Sequence, residues 1–99
     1  MFENLFKMAN VIITLKIMPE SPETDLDQLA EEAKSYISSF AGAGDMRMEQ
    51  EPVAFGLKAL KLTFVMDESK GSTEELENQI SKIGGVNSVE VVDVRRAVG

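Results

Sequence analysis

The chain has 99 residues, no Cys, no His, and 17 acidic side chains against 10 basic ones, for a formal charge of -7. That length suits one domain with a real core. Without Cys or His, disulfides, thiol nucleophiles, His-based zinc sites and Ser-His-Asp hydrolysis are excluded, and the acidic balance argues against binding nucleic acid by neutralising phosphates.

Residues 1–8 form a short amphipathic lead, and Met8 offers a second possible start. They are expected to be a flexible N-terminal extension, docked loosely at most through Phe2, Leu5 and Phe6, ahead of a single domain over 9–99. The lead is too short and too acidic at Glu3 for a secretory signal. No apolar run approaches the roughly 20 residues that span a bilayer, so a soluble cytoplasmic protein is expected.

From Ala9 to Met18, Val11, Ile13, Leu15 and Ile17 alternate with Thr14 and Lys16, the pattern of a half-buried strand. Pro19 and Pro22 end it. Thr24 to Asp27 then opens a helix, with the Thr24 hydroxyl as expected cap and acids in the first turn, where the helix dipole favours them. Leu26, Leu29, Ala30, Ala33, Ile37 and Phe40 make one apolar stripe, with the acidic residues left for water. The glycines at 42 and 44 stop the helix. They follow a helix and lack the Lys-Ser/Thr of a phosphate loop, so they are not one.

Asp45 to Val53 reads as a weaker edge strand, polar and closed by Pro52. The stretch from Glu51 to Lys61 is the hardest to explain as scaffold. Phe55 stands between Ala54 and Gly56 on a tight connection, where Gly56 permits a positive φ. It either folds back to plug the core or is presented to a partner. Leu57 to Met66 is a strong strand with Leu60, Leu62 and Phe64 on one side and Lys61 and Thr63 on the other. Ser72 to Glu75 reads as a capping box opening a second helix, buried through Leu76, Ile80 and Ile83 and stopped at Gly84-Gly85. In the last segment, Val86 to Val98, the alternation through Val89 and Val91 changes phase at Val92 and Val94, which predicts either a bulge or a strand covered on both sides near Val91.

Strand, helix, strand, strand, helix, strand predicts an α+β fold, a two-layer ferredoxin-like sandwich (βαββαβ) with a four-stranded antiparallel sheet and two helices on one face. The first and third strands are expected in the middle, parallel to each other, with the second and fourth as edges about 14 Å apart. On that placement Phe55 and the Arg95-Arg96 pair share one end of the sheet, where one partner surface engages both and the N-terminal lead could screen Phe55. Alternation turns the two arginines to opposite sides, so one can pair with a carboxylate while the other reaches a phosphate or an acidic loop.

Three collinear stretches, Val11 to Glu23, Glu51 to Lys61 and Val89 to Arg96, closely resemble the archaeal elongation factor 1-beta family, from about Met8 to the C-terminus. The resemblance implies a guanine-nucleotide exchange factor for the elongation factor 1-alpha GTPase, a translation elongation protein that stabilises the nucleotide-free GTPase without covalent chemistry. It implies GTPase-contacting residues at Pro52, Val53, Ala54, Phe55 and Gly56 and at Arg95 and Arg96, with Phe55 as aromatic anchor and Arg96 near the magnesium and phosphate site. It implies no catalytic residues, cofactor or metal of its own, no direct nucleic-acid contact and no membrane. Two other uses of the fold are an RNA-binding sheet, which expects aromatics where Thr14, Lys16, Lys61 and Thr63 stand, and a small-molecule-binding regulatory module. An acyl-phosphate hydrolase lacks its Arg and Asn pair, since Pro19 to Pro22 occupies the loop after the first strand.

Overall fold

A computed structural model describes residues 10–42 and 44–97, so the expected extension at 1–8 lies outside the described residues. The elements are β1 (Asn10–Pro19), α1 (Leu26–Ala41), β2 (Met46–Pro52), β3 (Lys58–Asp67), α2 (Glu74–Ser81) and β4 (Val86–Ala97), with single helical turns at Ala54–Gly56 and Glu68–Lys70. The sheet order is β2-β3-β1-β4. Every neighbouring pair is antiparallel, so the ferredoxin-like sandwich stands and β2 and β4 are its edges.

Alternation explains the layers. Ile13, Leu15 and Ile17 of β1 and Leu60, Leu62, Phe64 and Met66 of β3 turn to one face and are buried. There they meet Leu29, Ala30, Ala33 and Ile37 of α1 and Leu76 and Ile80 of α2. Burying such side chains contributes roughly 1.5–3 kcal/mol each, which is what holds two short amphipathic helices on the sheet.

Both helix caps sit one residue later than expected. The side chain that caps α1 is Asp25, not Thr24: its Oδ1 accepts from the Asp27 and Gln28 backbone N–H groups, both at 3.1 Å. For α2 the cap position is Thr73, without a side-chain cap bond. Ser72 Oγ accepts from the Glu74 N–H at 3.1 Å, and Thr73 donates to Glu77 Oε2 at 2.6 Å, so Glu75 does not close a capping box. The predicted bulge is present: Leu15 pairs with Val91 but Thr14 with Asp93, leaving Val92 as the extra residue.

One expectation is overturned. The first and third strands are central but antiparallel, with Asn10 opposite Asp67 and Ile17 opposite Leu60. The physical reason is the connection: a helical crossover makes β1 and β2 run the same way, and the tight hairpin after β2 then reverses β3.

Candidate functional site

The Phe55 hairpin joins the two partners Pro52 and Lys58. Leu57 N–H donates to the Ala54 carbonyl at 3.1 Å, and Val53 N–H to the Leu57 carbonyl at 2.8 Å. Phe55 and Gly56, the centre of this turn, both have positive φ, 60° and 77°, as a turn of type I′ requires. Glycine does this freely. A phenylalanine does not: its Cβ crowds the backbone, at about 1–3 kcal/mol. Among the described residues Phe55 alone among non-glycines takes such a φ. Its side chain is 93% exposed, so it does not plug the core. Pro52 and Ala54 are exposed beside it and Val53 is half-buried.

The loops around the turn are fixed. Glu20 N–H donates to the Gly85 carbonyl at 2.8 Å, tying the connection after β1 to the one before β4. Between the β1–α1 loop and the hairpin lies an open concavity of about 310 Å³, lined among others by Ser21, Thr24, Asp25, Gln50, Gly56 and Lys58. Asp25 is already occupied there in capping α1. Among the described residues no group of three or more His, Cys, Asp or Glu could hold a metal ion.

Arg95 and Arg96 lie elsewhere. Arg96 is opposite Val11, whereas the Lys58 end of β3 runs beside the far end of β1, beyond the Ile17–Leu60 pair. Val11 and Pro19 are eight residues apart on one strand, so roughly 27 Å separates the two ends at about 3.4 Å per residue. The expectation that Phe55 and the arginines share one end is therefore wrong, and it failed with the assumed direction of β3. Asn10, the first described residue, is at the arginine end, so β1 begins away from Phe55, and the expected screening lead lies outside the described residues.

The arginines do face opposite ways, but both are paired. Arg95, opposite Ile12 on the open face, holds Asp93 with Nε 2.9 Å from Oδ2. Arg96, on the helix side with Val11, donates through Nη2 to Glu68 Oε2. Glu68 carried no signal in the sequence, because it meets Arg96 only across the start of β1. Arg47, the remaining arginine of the chain, stands opposite Thr63 toward the same end. Val94, opposite Ile13 on the helix side, is 58% exposed two residues from Arg96. The phase change at Val92 was the hint that could have singled it out.

The middle of the open face is polar. Thr14 and Thr63 share a hydroxyl hydrogen bond at 3.0 Å. Across the sheet, Glu49, Lys61, Lys16 and Glu90 form a row flanking two cations with acids, and Lys61 also reaches Glu51 at 3.8 Å. A base-stacking platform needs aromatics at these positions. No described helix is long and apolar enough to cross a membrane.

Comparison with known proteins gives one consistent result. Residues 12–97 match the family model described as the EF-1 guanine nucleotide exchange domain. Elongation factor 1-beta of Methanobrevibacter smithii is 45% identical over 89 residues, covering 90% of this chain and 98% of that protein. Its counterpart from Methanosarcina barkeri is 46% identical over 90 residues, covering 90% and 99%, and that from Desulfurococcus amylolyticus 43% over 91, covering 90% and 98%. Among solved structures, the de novo designed protein Foldit4 aligns with a TM-score of 0.60 at 16% identity, over 91% of this chain and 98% of that one. At that identity the likeness concerns architecture alone.

Proposed function

This chain belongs to the EF-1 guanine nucleotide exchange domain family, and from that membership we propose that it engages elongation factor 1-alpha through two separate contacts, Phe55 at one end of the sheet and Arg96 at the other. It is a guanine-nucleotide exchange factor of translation elongation, not the ligand-binding regulatory module weighed as the alternative. The exchange takes place in the cytoplasm and needs no covalent chemistry, nucleic acid or membrane.

The observation that carries the proposal is the Phe55 turn. A bulky apolar side chain held at φ 60° and 93% exposed has no use inside this fold. The backbone cost is offset only if burying the ring against something else stabilises the complex by more. Aromatics of this kind are the usual anchors of protein interfaces, and the tight turn fixes the backbone that carries the ring, so little backbone freedom is lost on docking. Pro52, Val53, Ala54 and Gly56 form the rigid turn around it. At the far end Arg96 offers a planar cation suited to a phosphate or carboxylate.

Two contacts roughly 27 Å apart on one rigid sheet demand that the GTPase present two surfaces in a fixed relation. The factor binds well only to the GTPase state in which both surfaces are correctly placed and the nucleotide site is open. Binding of factor and binding of GDP with magnesium then oppose each other through linkage, and release of GDP follows from differential affinity. The test is release of fluorescent GDP from purified archaeal elongation factor 1-alpha. Acceleration that saturates with concentration is expected. No acceleration, with either the full chain or one beginning at Met8, would overturn the reading.

A further inference from the structure

We infer that Glu68 is the resting counter-ion of Arg96 and sets how tightly this factor engages its partner. The inference rests on the role proposed above for Arg96. Asp67, the last residue of β3, lies opposite Asn10, and Arg96 of β4 lies opposite Val11. Glu68, in the turn that directly follows β3, and Arg96 of β4 thus meet across the start of β1. Glu68 is held there from both sides: Asp67 Oδ1 accepts from the Ser69 N–H at 2.8 Å, and Gly71 N–H donates to the Glu68 carbonyl at 3.2 Å. The Arg95 pair differs in kind, because Asp93 lies two residues from its arginine on the same strand, whereas Glu68 reaches Arg96 from another part of the chain.

The Arg96–Glu68 pair is open to exchange. Both side chains keep much of their surface in water, 68% for Arg96 and 43% for Glu68, and a guanidinium has five N–H donors, of which this contact uses one nitrogen. An incoming phosphate or carboxylate oxygen must either replace Glu68 or settle next to its negative charge. Both cost affinity. Exposed ion pairs are weak, so the resting contact holds Arg96 in place yet yields to a better-matched anion, and its removal changes affinity by about fivefold at most.

The experiment is a titration of GDP release from elongation factor 1-alpha with the full chain, its Glu68→Gln and Arg96→Ala variants, and the double variant. Glu68→Gln is expected to lower the half-saturating concentration by about two- to fivefold, with the maximal rate and the melting temperature little changed. That gain should vanish in the Arg96→Ala background. A gain that persists without Arg96 would mean a general charge effect and would overturn the inference, as would an unchanged or raised half-saturation for Glu68→Gln. If Arg96→Ala itself exchanges like the wild type, the role of Arg96 falls and this inference with it. If Arg96→Ala is impaired and Glu68→Gln gains nothing, the inference alone fails.

Discussion

The two ends of the sheet present their side chains by opposite means. At the Phe55 end the backbone does the presenting: a two-residue turn with a positive φ at the phenylalanine carries the side chain out into solvent. At the arginine end the backbone is regular strand, and ion pairs to Glu68 and Asp93 hold the side chains. An anchor that must bury itself in a partner gains from a fixed direction, which strain supplies at about 1–3 kcal/mol. A cation that must change partners gains from a weak hold, and an exposed ion pair supplies one of at most about 1 kcal/mol. Rigidity and exchangeability are thus divided between opposite ends of one small domain.

This division can be broken from either side. The largest effect is expected for Phe55→Ala, which keeps the backbone and removes the ring: half-saturation in GDP release should rise about 30-fold, the scale of an interface anchor. A rate within twofold of wild type would remove Phe55 from the interface. Arg96→Ala should cost less, about tenfold, and its deficit should narrow as salt is raised, while that of Phe55→Ala persists. Equal salt dependence at the two ends would erase the distinction between them.

Phe55→Asn sharpens the comparison from the stability side. Asn tolerates the left-handed region and Asn-Gly suits a type I′ turn, so the variant should be more stable by about 1 kcal/mol, several degrees in Tm, while losing exchange activity. A lower Tm would show that the turn carries no strain to relieve. The smallest effect concerns Asp67, which helps hold Glu68. The Ser69 backbone N–H, donating to its carboxylate, keeps that carboxyl below its ordinary value of 3.8. A carboxyl lowered by folding stabilises the fold above its ordinary value, and that contribution is lost as the pH falls through the lowered one. Asp67→Ala should therefore show a slightly lower Tm than wild type near neutrality, with the gap closing on the acid side of 3.8.

What the sequence could convey followed the range of its signals. Strands β1 and β3, both helices and the bulge were legible because alternation and three-to-four spacing are local, and Gly56 marked the turn that Phe55 occupies. The caps moved by one residue, Thr24 to Asp25 and Ser72 to Thr73, because adjacent polar side chains compete for the same backbone donors and periodicity does not rank them. The separation of Phe55 from Arg96 was lost because it depends on the direction of β3, a property of the connections that no residue encodes by itself. Glu68 was illegible for a related reason: its partner lies 28 positions away, on a strand that is not its neighbour.

The extra residue at Val92 acts as a phase shifter for the end of the chain. Were β4 to continue without the bulge, Val92 would stand opposite Thr14 and each later residue would move one place along β1. Arg95 would then take the position opposite Val11 that Arg96 now holds, and Arg96 would turn to the other side. Two adjacent, chemically identical side chains are thus told apart by counting alone: ironing out the bulge with Val92 kept in the ladder would exchange their faces, whereas deleting Val92 would leave Arg96 opposite Val11.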